Sequence, residues 1–227
     1  MTNKISVVKQ IIKREDIEGI IQHGSTVQGV AGANSDYDYY VIVKNKVTTP
    51  VFAERINNIK FHIQVVDQKS FEKEINDFVP KLMMALFDTN IIAGRLLQGK
   101  VILDKDNATF SYLNDKRSEL KLQVPRLIKK FRYQAIGFME DSQHSNTLFQ
   151  YICIEKAIDS LAIGILIKNN FYNLNPKWQP IFLQDFLSKN LYDKYTRARF
   201  FLPNIESTEI QSTLIQLLNE LTSKEEE

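Results

Sequence analysis

The sequence predicts an α/β (α+β) domain with a small mixed β-sheet, residues 1–108, followed by a C-terminal α-helical bundle, residues 109–227. Three observations predict it. Short apolar-alternating segments separated by turn formers fill the first hundred residues. From Leu120 onward the apolar residues instead recur at three and four, the helical spacing. Between two of the early strands lies "HGSTVQGVAGANSDYDYYVIV", His23 to Val43, which joins a Gly-Ser pair and further glycines to two alternating aspartates.

In residues 4–15, Ile5, Val8, Ile11 and Ile12 follow helical spacing with charges between them, so a first helix is expected. A short strand follows over Ile17–Gln22, stopped by Gly24 and Ser25, which would open a new helix with Ser25 as its cap. "GANS" ends that helix, and "DYDYYVIVKN" reads as a strand with Asp36, Asp38 and Tyr40 on one face and Tyr37, Tyr39 and Val41 on the other. A connector with Pro50 and a helix around Phe52–Asn57 lead to a third strand, "IKFHIQVVD", whose His62, Gln64 and Val66 share a face. Residues 70–98 read as helical, "GKVILDKD" as a strand or extended link, and the domain change falls near Lys105–Asp115. In the second half, Leu120, Val124, Leu127, Phe131, Ala135 and Phe138 mark one long helix, and Leu148, Ile152, Ile158, Leu161, Ala162 and Ile165 another. Further helices are expected near 179–200 and 206–222, then a fraying tail, "SKEEE".

Composition narrows the function classes. At 227 residues, 44% hydrophobic, 11% aromatic and 25% charged, the chain is an ordinary globular one. Its formal charge of +2 is too small for bulk capture of nucleic acid or an acidic membrane, so a basic site must be local. No segment approaches the roughly 20 apolar residues that span a bilayer, and the N-terminus lacks the pattern of a secretory leader. A soluble cytoplasmic protein is expected. The one cysteine, Cys153, excludes an intramolecular disulfide and sits in an apolar setting that suits a buried thiol. His23, His62 and His144 are too scattered for a zinc pattern, and "GVAGAN" lacks the lysine of a phosphate-binding P-loop.

The chemistry concentrates at Gly24, Ser25, Ser35, Asp36 and Asp38. Two carboxylates two residues apart on a strand face the same way and can hold one divalent cation. Backbone N–H groups at a preceding Gly-Ser turn suit phosphate oxygens. The ordered set of strand, Gly24-Ser25, glycines, Ser35, Asp36, Asp38 and "YYVIV" resembles the signature of the DNA polymerase β-like nucleotidyltransferase superfamily, and its firm part covers about residues 17–45. The resemblance extends to two-domain antibiotic-type nucleotidyltransferases. It implies that Gly24 and Ser25, with Ser35 nearby, hold the phosphates of a nucleoside triphosphate. It also implies that Asp36 and Asp38 bind two Mg²⁺ ions, and that a nucleoside monophosphate, AMP from ATP, moves to a hydroxyl of a small-molecule acceptor such as an antibiotic. A protein or tRNA acceptor, or a regulatory protein that binds nucleotide without full catalysis, is the alternative.

This sequence departs from the family at the third carboxylate of the following strand. Asp67 at the strand's end, His62 or Gln64 on its face, or an acid from the helical half are the candidates. On the second long helix Glu155 and Asp159 share a face at i and i+4, and the resemblance makes Glu155 a candidate base for the acceptor hydroxyl. "RLIKKFRYQ" gathers Arg126, Lys129, Lys130 and Arg132 into a basic stretch that can meet the triphosphate, an RNA acceptor or water. Trp178 in "FYNLNPKW" reads as a core or hinge anchor.

Overall fold

The computed structural model describes residues 4–29, 31–32, 35–47, 51–84, 92–143, 147–200 and 205–223. Expectations for Pro50, for Ala33 and Asn34 of "GANS", for 85–91 of the helical stretch, for His144 and for the last four residues lie outside the described residues. Two compact units are formed. One comprises the described residues up to 81 and from 92 to 120; the other comprises 82–84 and those from 121 on.

The first unit opens with α1 (Lys4–Ile12) and β1 (Ile17–His23), then β2 (Tyr37–Val43), β3 (Val51–Ile56) and β4 (Ile59–Asp67). Helices α2 (Gln68–Asn76), α3 (Phe78–Met84) and α4 (Ile92–Leu97) lead to β5 (Lys100–Asp104). The five strands form one mixed sheet in the order β3-β4-β2-β1-β5, with β2 and β4 parallel and the other pairs antiparallel. "GKVILDKD" is thus an edge strand.

Alternation sorts the side chains of this sheet. Tyr39, Val41, Val43, Phe61, Ile63 and Val65 turn to one face and form a core with Val7, Val8 and Ile12 of α1. Full burial of each aliphatic side chain is worth about 1.5–3 kcal/mol, so this face fixes the register of β2 against β4. A slip by one residue would bury Asp38 and His62 in that core. On the opposite face Tyr40 packs against Phe71 of α2, ring centroids 6.1 Å apart, and Phe71 in turn against Tyr112.

Two expected helices are corrected. The segment Phe52–Asn57 is the β3 strand and its turn: β3 and β4 form a hairpin closed by Asn57 and Asn58, both left-handed at φ 49° and 63°. Asparagine tolerates that conformation, and paired left-handed residues are what a two-residue hairpin needs. Nor does a helix start at Ser25. The carbonyl of Gly24 accepts from Val27 N and Gln28 N, and this single turn ends at Gly29, φ 74°. A left-handed glycine so soon after the start leaves no room for a second turn.

Helix α5 (Ala108–Gln143) begins where the Asp104 carboxylate accepts from Thr109 N at 3.0 Å and Phe110 N at 2.8 Å. Its start coincides with the boundary expected at 108, but the helix runs unbroken across the division of the compact units between residues 120 and 121. Pro125 lies inside it and has no N–H to offer the carbonyl of Lys121, at that division.

The second unit contains α6 (Thr147–Lys168), α7 (Gln179–Leu183), α8 (Lys189–Phe200) and α9 (Ser207–Thr222). From Ala157 on, α6 is buried on nearly every side and packs against α7, α8 and α9. Gly164 allows this closeness: a Cβ there would lie 2.9 Å from Leu221 Cδ1 of α9. Cys153 is a buried free thiol. No helix among the described residues is long and apolar enough to cross a membrane.

Candidate functional site

The sheet register builds the site. Asp38 pairs directly with His23 of β1 on one side and His62 of β4 on the other, and His62 pairs with Ala53 of β3. Directly paired residues point to one face, so two histidines flank one carboxylate in a single row. His62 Nδ1 lies 3.6 Å from Asp38 Oδ1, too long for a hydrogen bond but within ionic reach. His23 is 4% exposed and its Nδ1 has no hydrogen-bond partner among the described residues.

Gly24 closes the row from above. A Cβ at this position, φ 79°, would stand 2.4 Å from Asp38 Oδ2, so the Gly-Ser turn and the second aspartate meet backbone to carboxylate. Ser25 is buried beside it. Asp36 lies one residue before β2, and its Oδ2 accepts from Lys60 Nζ at 2.7 Å. Ser35 closes a small turn: its Oγ accepts from Gly32 N at 2.9 Å while its own N donates to Gly32 O.

Two cations join these acids without having been read from the sequence. Lys60 stands two residues before His62, so the alternation of β4 could have found it. Arg95 comes from α4, and only tertiary packing brings its charge to Asp38. Burial pushes the Asp38 carboxyl above its usual range, and the charges of His62 and Arg95 oppose that shift. Burial also lowers Arg95, against the attraction of Asp38.

Of the candidates for a third ligand, β4 presents His62. Gln64 pairs with Tyr40, one same-face step further along the sheet. Asp67 pairs with Val43, five residues from His62 and so about 16 Å along the strand. Its carboxylate caps α2 instead, accepting from Ser70 N at 3.0 Å and from Ser70 Oγ at 3.1 Å. These bonds hold it below the usual carboxylate range. Among the described residues no group of three or more His, Cys, Asp or Glu side chains is gathered as a metal site. Two carboxylates nevertheless suit a single Mg²⁺, an ion commonly held by one or two carboxylates while substrate phosphates and water supply its other oxygens.

Glu155 belongs to α6 in the second unit. Its Oε1 accepts from Arg199 Nη1 at 2.9 Å, while Arg199 Nη2 lies 3.2 Å from Asp159 Oδ1. In the basic stretch, Lys130 Nζ sits 3.9 Å from the Phe131 ring centroid, and burial lowers its pKa to about 8. Trp178 stands at the N-cap of α7 with Lys177 Nζ 4.8 Å from its ring centroid.

β1, a Gly-Ser turn against a carboxylate, and β2 with Asp36 just before it and Asp38 within it form the stretch whose sequence resembles the polymerase β-like nucleotidyltransferases. Solved structures similar to the chain include a nucleotidyltransferase-like protein from Exiguobacterium sibiricum 255-15, at 17% identity and TM-score 0.47, covering 97% of this chain and 74% of that one. A spectinomycin adenyltransferase from Enterococcus faecialis, solved with ATP and spectinomycin, is similar at 15% identity and TM-score 0.37, covering 96% of this chain and 98% of that one. No protein-family model and no curated protein matches the sequence.

Proposed function

We propose that the first unit binds a nucleoside triphosphate, ATP, and transfers its nucleoside monophosphate, AMP, to a hydroxyl of a small-molecule acceptor. The observation that carries this reading is the contact of the Gly24 backbone with the Asp38 carboxylate, which couples a phosphate-binding turn to the acid next to it. In the reaction the acceptor oxygen forms a bond to the α-phosphorus, the bond from that phosphorus to the bridging oxygen breaks, and pyrophosphate leaves.

Asp36 and Asp38 would hold a Mg²⁺ ion that arrives with the nucleotide. Bound there, the ion offsets negative charge on the phosphate oxygens. Gly24, Ser25 and Ser35 orient the triphosphate, with Arg95 adding a positive charge beside Asp38. Lys60 pairs with Asp36 at 2.7 Å and is positioned to exchange that carboxylate for a phosphate oxygen. His62 takes the third position, and its Nε2 is the proposed acceptor of the hydroxyl proton. Glu155, ion-paired with Arg199, is the rival base.

Incubation with labelled ATP, Mg²⁺ and panels of aminoglycosides, lincosamides, tRNA and proteins tests the reading. Label is expected on a small molecule, and pyrophosphate release that survives Asp38→Ala would remove that residue from the chemistry. A second reading is favoured by His62 in place of a carboxylate and by the Lys60–Asp36 pair: a nucleotide-binding regulatory protein. Tight ATP binding without turnover on any acceptor would support it.

A further inference from the structure

Beside Asp36 the first unit has a cavity of about 280 Å³, whose lining includes Thr26, Ser35, Tyr37, Arg55, Asn58 and Lys60. Among the described residues its walls carry two cations and no carboxylate. The cations come from the β3–β4 hairpin, where Arg55 and Lys60 are direct cross-strand partners. Like charges placed opposite each other destabilise a strand pair. Asp36 offsets only one of them, through Lys60 at 2.7 Å. The Arg55 guanidinium has no hydrogen bond or ion pair among the described residues.

The hairpin therefore holds an uncompensated guanidinium over a polar cavity, next to a lysine whose carboxylate partner belongs to the proposed metal-binding pair. The hydroxyl of Ser35 has its oxygen engaged by Gly32 N and its proton left to donate. Asn58 adds an amide at the tip. A planar guanidinium with an ammonium and hydroxyl donors is a donor set for a phosphate group.

We propose that the Arg55–Lys60 cavity is a phosphate subsite, with Arg55 as its principal donor. A ligand placed here bears a phosphate, and a polycationic acceptor such as an aminoglycoside does not fill it. The inference deepens the proposed nucleotidyl transfer by naming the chemistry of one of its ligands. The phosphate has two possible sources, the nucleotide's own chain or a phosphorylated acceptor.

Calorimetric titration of the full chain and its Arg55→Gln variant with pyrophosphate, then with ATP, reads the subsite directly. A third titration uses glucose 6-phosphate, as a generic phosphomonoester, with a non-hydrolysable ATP analogue at saturation. The variant is expected to bind pyrophosphate about five- to twentyfold more weakly. Its thermal midpoint is expected at or above wild type, because one of two facing cations is removed. An equal loss for ATP assigns the phosphate to the nucleotide. An unchanged ATP affinity with a loss for glucose 6-phosphate assigns it to the acceptor. Identical affinities of both proteins for all three probes would overturn the subsite. Arg55-dependent binding in a protein that transfers no AMP would leave the subsite standing and remove the transferase reading alone.

Discussion

Gly24 and Asp38 are in contact through backbone and carboxylate: the glycine, at φ 79°, leaves no space for a Cβ, which would stand 2.4 Å from Asp38 Oδ2. Two independent obstacles thus oppose any side chain. Left-handed strain in a non-glycine residue costs about 1–3 kcal/mol, and the Asp38 carboxylate would in addition have to move aside. Gly24→Ala is expected to lower the urea midpoint accordingly and to weaken ATP binding more than tenfold. Gly32→Ala is the control, since a Cβ there meets open space, and its stability should stay within about 0.5 kcal/mol of wild type. Equal behaviour of the two variants would separate the Gly-Ser turn from the aspartate.

Asp38 carries an unfavourable charge that its fold tolerates. Burial raises its carboxyl, and the surrounding cations only partly offset this. Asp38→Asn keeps the shape and removes the desolvation cost, so the unfolding free energy should remain within about 1 kcal/mol of wild type while Mg²⁺-dependent ATP binding falls at least tenfold. A variant that loses stability and binding together would make Asp38 a structural ion-pair member.

Asp36, Asp38 and the Gly-Ser turn can be proposed from the sequence because their spacing is local: alternation alone puts the two aspartates on one face. His62 was among the candidates for the third position, but choosing it over Asp67 required the parallel register of β2 and β4, a tertiary property. The hairpin was missed through its type of turn. "VFAERINN" carries no glycine, and two asparagines in left-handed conformation serve instead. Arg95 left no sequence signal, because its neighbour Asp38 lies on a strand far away in the chain. Ser25 is a good cap and so suggests a helix after Gly24, whereas the left-handed Gly29 sets the outcome.

The two candidate bases separate by mutation. His62→Gln keeps a polar side chain at the third position but removes a group able to take a proton, so kcat should fall about 100-fold with ATP affinity little changed. Glu155→Gln is expected to lower turnover by less than about threefold, since Arg199 already occupies its carboxylate. A larger loss in Glu155→Gln than in His62→Gln, again with ATP affinity retained, would move the base to α6.

Within the helical unit Arg199 serves two acids unequally. Asp159 is 20% exposed at its side chain and is raised by burial, whereas Glu155 is 45% exposed. Removing the arginine leaves Asp159 with Lys156, whose Nζ lies 3.6 Å from its Oδ2. A double-mutant cycle of Arg199→Met with Asp159→Asn should give a coupling of about 1–3 kcal/mol, and with Glu155→Gln less than about 0.5 kcal/mol. The reverse order would place the structural weight on the exposed acid.

His23 makes the fold sensitive to acid. Burial pushes its imidazole down to about 3, with the charges of Arg95 and His62 adding to the shift. In the unfolded chain a histidine titrates near 6.5. Above that pH neither state binds the proton, and the contribution to stability is fully present. As the pH falls below it, the unfolded chain takes up a proton that the folded protein refuses, so stability is lost progressively until the folded pKa is reached. Between pH 7 and pH 5 this amounts to about 2 kcal/mol from His23 alone. His23→Leu, which fills the buried position without a titrating group, should lack that component. Urea midpoints of both proteins measured across this range should therefore converge or cross toward low pH, other acid-sensitive groups being common to both. A constant difference between them would mean that His23 takes up its proton equally in the folded and unfolded protein, and a wild type that gains on the variant toward low pH would mean that the imidazole is charged in the folded protein beside Asp38.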